Sequence, residues 1–344
     1  MNLLIPITTF TRSGGMRVLE NLANEWTAEG HHVVFAVADS STPYYPTNAD
    51  IVNLKAGNSK TVDEIRRLTR FIGEHINSFD FIIANGYVST YPVFFSTLIK
   101  NQRKGVYYIQ CYETDFHNKI SNPIVRSIKK AGTDITYFFP FKKIVNSDIY
   151  VNYRHIHTDR VVFPGIDLKL YFPKDPTAFN PVVKIGTIGR TEDWKGTADV
   201  CRAMELLKAK GVEFEFYIAF NDFDTVEHHF VKPDGDGNLA VFYRDMDIVI
   251  AACKGQHGAV HYPVIETMAV GSSLICTDYY PANEKNAYKV DESAPGQIVS
   301  AVGEILRDRE TAVAKRRQGI RDVQQFSWPI VAEKFLNYLR EDPR

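Results

Sequence analysis

Apolar and polar positions alternate between two periods along the first half of this chain. Leu3 to Ile7 is a short, unbroken apolar run, followed by the turn Ser13-Gly14-Gly15. Beyond it Val18, Leu19, Leu22, Ala23 and Trp26 recur at helical spacing, and Gly30 marks that helix's end. His32 to Ala38 is again continuously apolar. Ile65, Leu68, Ile72 and Ile76 then return to the helical period before the run Phe79 to Ala84. Val106–Ile109 and Lys142–Val145 predict further strands. Helices between buried apolar strands predict a parallel sheet covered on both faces.

The alternation restarts after residue 180. Val182–Ile188, Phe214–Ala219, Asp247–Ala251 and Ser273–Thr277 read as strands, and Thr197–Lys210 as a helix with apolar Val200, Ala203, Met204 and Leu207. Between the halves, Phe163-Pro164-Gly165-Ile166-Asp167 through Tyr171-Phe172-Pro173-Lys174-Asp175-Pro176 is dense in turn residues and reads as a connection. The predicted class is α/β with two Rossmann-like domains, 1–160 and 161–325. A terminal amphipathic helix over 326–344, with Val331, Phe335, Leu336 and Leu339 on one side, either packs on the second domain or returns to brace the first.

The chain's 344 residues suffice for two such domains, and 44% hydrophobic with 24% charged residues excludes disorder. A net charge of −1 leaves no global field for nucleic acid, so any electrostatic attraction has to be local. Cys111, Cys201, Cys253 and Cys276 are widely spaced and read as free thiols of a reducing compartment. The N-terminus has no cationic leader and no stretch reaches membrane-spanning length, so a cytoplasmic location is expected.

Parallel sheets bind ligands beyond the carboxyl ends of their strands, so chemistry is sought in the strand-to-helix loops. Gly14-Gly15 would let backbone approach an anion at a helix start, although without the spacing of a dinucleotide fingerprint. In Gly189-Arg190-Thr191-Glu192-Asp193-Trp194-Lys195-Gly196, a guanidinium leaves a strand end and an ammonium precedes a helix. Converging, Arg190 and Lys195 suit a pyrophosphate. In His261-Tyr262-Pro263-Val264-Ile265-Glu266 a loop opens into a helix whose amino end can hold a phosphate. Glu266, one turn inside among apolar residues, needs partners if buried, and a vicinal ribose diol would supply them. Asp245-Met246-Asp247 has the D-x-D form of a cation site. With Arg190 and Lys195 available for a diphosphate, no metal is expected there.

Taken in order, these segments resemble the retaining glycosyltransferases of family 4, which have the GT-B fold. The resemblance runs from Gly14-Gly15 with Arg17-Val18-Leu19, through Val161–Asp167, Gly189-Arg190 with Lys195-Gly196, and Pro263–Gly271, to Phe326-Ser327-Trp328. It implies two domains facing a cleft that closes on a nucleotide-sugar co-substrate, with no other cofactor. Arg190 and Lys195 would neutralise the leaving diphosphate, and Glu266 would hold the ribose. Gly14, Gly15, Gly189, His261, Tyr262, Val264 and Ile265 would line the donor. Gln110, Glu113 and Asp115, in Gln-Cys-Tyr-Glu-Thr-Asp, would lie on the acceptor side. There the sequence looks more like some rhamnosyltransferases, so a UDP-sugar and a dTDP-rhamnose-like donor both stay open. The acceptor would be a glycan, a lipid-linked sugar or a protein.

Where the family usually has a second glutamate, this chain has Gly258, and His257 or His261 is then the available polar contact. That departure keeps a non-catalytic sugar-nucleotide-binding subunit, or another GT-B enzyme such as an epimerase, in view. Between 117 and 143 the basic residues are Lys119, Arg126, Lys129, Lys130, Lys142 and Lys143, against the single acid Asp134. Interleaved Ile124, Val125, Ile128, Tyr137, Phe138, Phe139 and Phe141 suit either an anionic membrane surface at the inner face of the plasma membrane or the core.

Overall fold

The computed structural model describes residues 1–54, 61–255 and 257–341. Its apolar runs become the inner strands of two parallel sheets. The first unit runs β1 (Asn2–Ile7), α1 (Gly14–Ala28), β2 (His32–Val37), β3 (Asp50–Asn53), α2 (Thr61–His75), β4 (Phe81–Ala84), α3 (Tyr87–Ile99), β5 (Gly105–Ile109), α4 (Pro123–Asp134) and β6 (Lys142–Val145). Leu3, Ile5 and Ile7 enter one core and Leu4 the core on the opposite face, which is why β1 is apolar without alternation. Strand order is β3-β2-β1-β4-β5-β6.

The second unit runs β7 (Val183–Ile188), α5 (Thr197–Ala209), β8 (Phe214–Ala219), β9 (His229–Val231), α6 (Gly235–Asp245), β10 (Ile248–Ala251), α7 (Tyr262–Val270), β11 (Ser273–Cys276), β12 (Tyr288–Lys289), α8 (Pro295–Arg307) and α9 (Arg309–Asp322). Its order, β12-β11-β10-β7-β8-β9, repeats that of the first sheet. Both are the doubly wound arrangement, with order reversing beside the first strand of each unit. The compact units comprise Met1–Gly165 with the terminal helix α10 (Trp328–Arg340), and Ile166–Ser327.

Helix α10 therefore belongs to the first unit. Val331, Phe335, Leu336 and Leu339 share a core with Leu19, Leu22 and Trp26 of α1. Trp26 anchors it: the indole N–H donates to the Ala332 carbonyl at 3.2 Å, and the ring meets Phe335 edge-on at 5.1 Å. The four cysteines are free thiols. Among the described residues no helix is long and apolar enough to cross a membrane.

Three strands were not expected from the sequence, namely β3, β9 and β12. All lie at sheet edges or one short step from solvent, with sequences Asp-Ile-Val-Asn, His-Phe-Val and Tyr-Lys. Such short, partly polar segments become strands because a neighbour offers backbone partners, not through an apolar period.

Candidate functional site

In the second unit the strand order reverses between β7 and β10, and the loops leaving their carboxyl ends lie together. The loop after β7 holds Arg190 and Lys195, and the loop after β10 leads through Cys253 to His261. The Lys254 backbone N–H donates to the Trp194 carbonyl at 2.7 Å, and Lys254 Nζ pairs with Asp199 of α5 at 3.1 Å. Gly196 makes this closeness possible. Its φ is +70°, and an added Cβ would lie 1.8 Å from the Ala252 carbonyl oxygen. Gly189 is as confined, since a Cβ there would come within 2.4 Å of the Asn221 carbonyl oxygen.

Arg190 is half-buried with its guanidinium 4.6 Å from the Phe220 ring centroid. Its backbone N–H donates to Thr197 Oγ1 at 3.0 Å, which ties the strand end to the first residue of α5. The Lys195 ammonium sits 3.8 Å from the Trp194 ring centroid. Burial lowers the Lys195 pKa, and the nearby Arg190 charge lowers it further. The two cations repel, a cost that an incoming anion would remove.

His261 faces both. Its ring stacks on Tyr279 at 4.7 Å, and Nε2 lies 3.5 Å from Cys253 Sγ. Burial, then the charges of Lys195 and Arg190, push its pKa down to about 3, so the imidazole is neutral at physiological pH. Nδ1 is shut off from solvent and makes no hydrogen bond within the protein. A neutral ring can donate or accept at either nitrogen according to its tautomer.

His261 also stands at the N-cap position of α7 without a side-chain capping bond, with Pro263 in the first turn and Gly271 closing the helix in the left-handed region at φ +74°. Glu266 is 2% exposed on this helix, so it is not the surface acid of an amphipathic helix. Beside it lies the Tyr243 phenol, which burial first and the Glu266 charge second hold un-ionised; Arg190 acts on the same phenol in the opposite sense. Arg190 thus connects the cation pair with the Glu266 side of the crevice. Val264 and Ile265 have wholly buried side chains, and their N–H groups point at the His261 carbonyl at 3.0 and 3.3 Å. Neither side chain can meet a ligand there, and both backbone N–H groups are engaged within the helix's first turn. Tyr262 is half-buried at the helix start.

His257 stands apart from this group, exposed and 3.3 Å from Glu292. Gly258 sits in the left-handed region at φ +76° and donates its N–H to the Asp278 carbonyl at 2.9 Å. The D-x-D acids are committed at the other end of the sheet, before β10. Asp247 is fully buried and accepts from the Asn180 and Lys184 backbone, while Asp245 pairs with Lys184 Nζ at 2.9 Å. Among the described residues no group of three or more His, Cys, Asp or Glu side chains is placed to hold a metal ion.

The first unit has its own crevice at the corresponding reversal, between β1 and β4. A cavity of about 220 Å³ there is lined by residues including Thr9, Ser13, Asn85, Gly86, Tyr87 and Glu113. Ser13 caps α1 by accepting from Met16 N, which leaves Gly14 open at the helix start. Gln110 Nε2 bridges the Gly15 carbonyl at 2.9 Å and Asn85 Oδ1 at 2.8 Å. Glu113 accepts from Tyr87 N, the first residue of α3, at 2.5 Å and from the Tyr107 hydroxyl at 3.4 Å. Burial nevertheless raises its pKa to about 7. Asp115 pairs with Arg154 at 3.6 Å on the surface and lines no part of this cavity.

Sequence reading missed Cys253, Tyr279, Tyr243 and Asn85. Cys253 and Asn85 each follow a strand's carboxyl end closely, which was the available signal. The two tyrosines are brought in by other elements.

No family model matches the chain, and no curated relative does. Solved structures do. Sucrose-phosphate synthase from Thermosynechococcus elongatus superposes with a TM-score of 0.76 at 15% identity, covering 98% of each chain. HepE of Anabaena, solved in complex with UDP, gives 0.73 at 13% identity over 98% of this chain and 99% of that one. WaaG, a glycosyltransferase involved in lipopolysaccharide biosynthesis, gives 0.70 at 12% identity over 99% of this chain and all (100%) of that one. At these identities the likeness concerns the fold, and the chain has the GT-B fold of these glycosyltransferases.

Proposed function

We propose that this protein moves a sugar from a nucleoside-diphosphate sugar to an acceptor hydroxyl, with retention at the anomeric carbon and without a metal. One observation carries the reading. Arg190, Lys195 and the neutral, half-satisfied His261 converge at the carboxyl ends of β7 and β10, with Glu266 buried one turn inside the adjoining helix. That grouping offers two cations and a helix start to a diphosphate, and a carboxylate to a ribose diol. A neighbour of the same fold, HepE, has been solved with UDP-glucose, which supports a ligand of this class.

In this reading the bond from the sugar C1 to the β-phosphate oxygen breaks, and charge develops on the departing diphosphate. Arg190 and Lys195 stabilise that charge from fixed positions. The acceptor oxygen bonds to C1 on the face the phosphate leaves, and its proton passes to the phosphate.

A thermal-shift screen of UDP-, GDP- and dTDP-sugars tests the binding step, since ligand at a hundredfold its Kd adds about 2.7 kcal/mol of stability. Release of labelled sugar in excess EDTA, with the anomeric configuration of the product read by NMR, tests the chemistry. Failure of every sugar nucleotide to bind overturns the proposal. Binding without hydrolysis or transfer selects the second reading, a sugar-nucleotide-binding partner subunit, which Gly258 favours by putting no side chain where an acid would stand.

A further inference from the structure

A cation that is to meet an anionic ligand has to be held in place without being neutralised. A carboxylate partner does the first and prevents the second. In the second unit the two requirements are met by aromatic rings. Among the described residues the Arg190 guanidinium makes no hydrogen bond and no ion pair, and it lies over the Phe220 ring at 4.6 Å from the centroid. The Lys195 ammonium lies over the Trp194 ring in the same way, at 3.8 Å. Both are within reach of the attraction between a cation and the negative face of a ring. Two acids flanking Lys195 in sequence are drawn elsewhere, Asp199 to Lys254 at 3.1 Å and Asp193 to Lys254 at 3.6 Å.

Phe220 is placed where a phenylalanine is least expected. It follows β8 directly and has φ +79°, in the left-handed region. A bulky side chain is disfavoured there, and glycine is the default residue. The turn itself has a clear purpose. The Phe220 N–H donates to the Val231 carbonyl at 2.9 Å, and Asn221 Nδ2 donates to the Gly189 carbonyl at 3.0 Å. With the Gly189 N–H on the Ala219 carbonyl at 2.8 Å, the chain after β8 folds back on the residue before Arg190.

Glycine would make that turn without steric cost, so the turn does not explain the aromatic ring. Nor does the core around α5 and β8. Phe223, three residues on, packs against that core, whereas Phe220 is not part of it and is only half-buried. What the ring adds is the contact with the guanidinium. Backbone strain retained beside a ligand crevice is a mark of function.

We propose that Phe220 is a positioning residue, kept in a left-handed turn so that its ring fixes the Arg190 guanidinium and leaves its charge free for a diphosphate. The ligand rests on the sugar-nucleotide reading, but the contact does not, and the two are tested separately. Without any ligand, the Arg190 Nε–H resonance, assigned by its loss in Arg190→Lys, should carry a ring-current shift that disappears in Phe220→Leu. With inorganic pyrophosphate as the probe, calorimetry should show Phe220→Gly weakening affinity by about 3- to 30-fold. Its melting temperature should stay nearly level, because relief of the left-handed backbone offsets the lost ring contacts. Phe220→Tyr, which keeps the ring, should bind as the wild type does. In an Arg190→Ala background Phe220→Gly should have no further effect, since the ring acts through the guanidinium.

Three results would overturn the idea. They are an Arg190 resonance unchanged in Phe220→Leu, wild-type pyrophosphate affinity in Phe220→Gly, and an equal loss from Phe220→Gly whether or not Arg190 is present. A wild type that shows the ring-current shift but binds no pyrophosphate is a failure of the diphosphate site, and not of the contact.

Discussion

Gly196→Ala probes how the cation loop is held. The residue's φ of +70° costs an L side chain about 1–2 kcal/mol. The new Cβ, 1.8 Å from the Ala252 carbonyl oxygen, must also withdraw by about 1.6 Å to reach ordinary contact. Overpacking of this kind adds about 1–3 kcal/mol. The sum of about 2–5 kcal/mol should lower the melting temperature of a unit this size by roughly 4–20 °C. The movement opens the junction between the loops, and with it the placement of Lys195 and Cys253. Since a 1 Å misplacement costs about a hundredfold in rate, kcat/KM for sugar transfer should fall by about that factor. Gly211→Ala is the control. It has φ +73° with nothing within 4 Å of an added Cβ, so it carries the backbone cost alone and should keep full activity. Differential scanning calorimetry and initial-rate kinetics on both variants decide the matter. If the two behave alike in stability and rate, the close approach at Ala252 is not what holds the site.

Arg190→Ala and Lys195→Ala should each cost about 2–4 kcal/mol of transition-state stabilisation, read as kcat/KM, and wild-type turnover in both would remove them from the donor site. Glu266→Gln should weaken nucleotide affinity by about 1.5–3 kcal/mol in calorimetry, and an unchanged Kd in a folded variant would count against the ribose contact. His261, with a folded pKa of about 3 against 6.5 for a free ring, binds fewer protons when folded between those values. Its share of stability is therefore intact above pH 6.5 and lost as pH falls towards 3, and His261→Asn should flatten that limb of the stability–pH curve. Glu113, raised to about 7, acts with the opposite sign: it destabilises increasingly as pH rises from about 4.5 to 7, and Glu113→Gln should remove that slope.

The doubly wound class was legible in the chain because strands buried on both faces must be apolar at every position, as Leu3 to Ile7 and Ile248 to Ala251 are. Arg190, Lys195 and Glu266 stand out as candidates in the sequence for a related reason. Each follows a strand end or lies inside an apolar helix, where a charge is costly unless it has a use. Edge strands β3, β9 and β12 were not legible, since backbone pairing with a neighbour, and no period of their own, makes them strands. Nor were Cys253 and Tyr279 as companions of His261. Residues 253, 261 and 279 meet because β7, β10 and β11 are neighbours in the sheet, an order that local sequence does not encode. Helix α4 shows the division within one element. Its sequence makes the helix amphipathic, but which side faces the body was settled by Thr133 finding His117 and Tyr91 finding Gly132. Periodicity describes a helix's two faces, whereas only packing chooses between them.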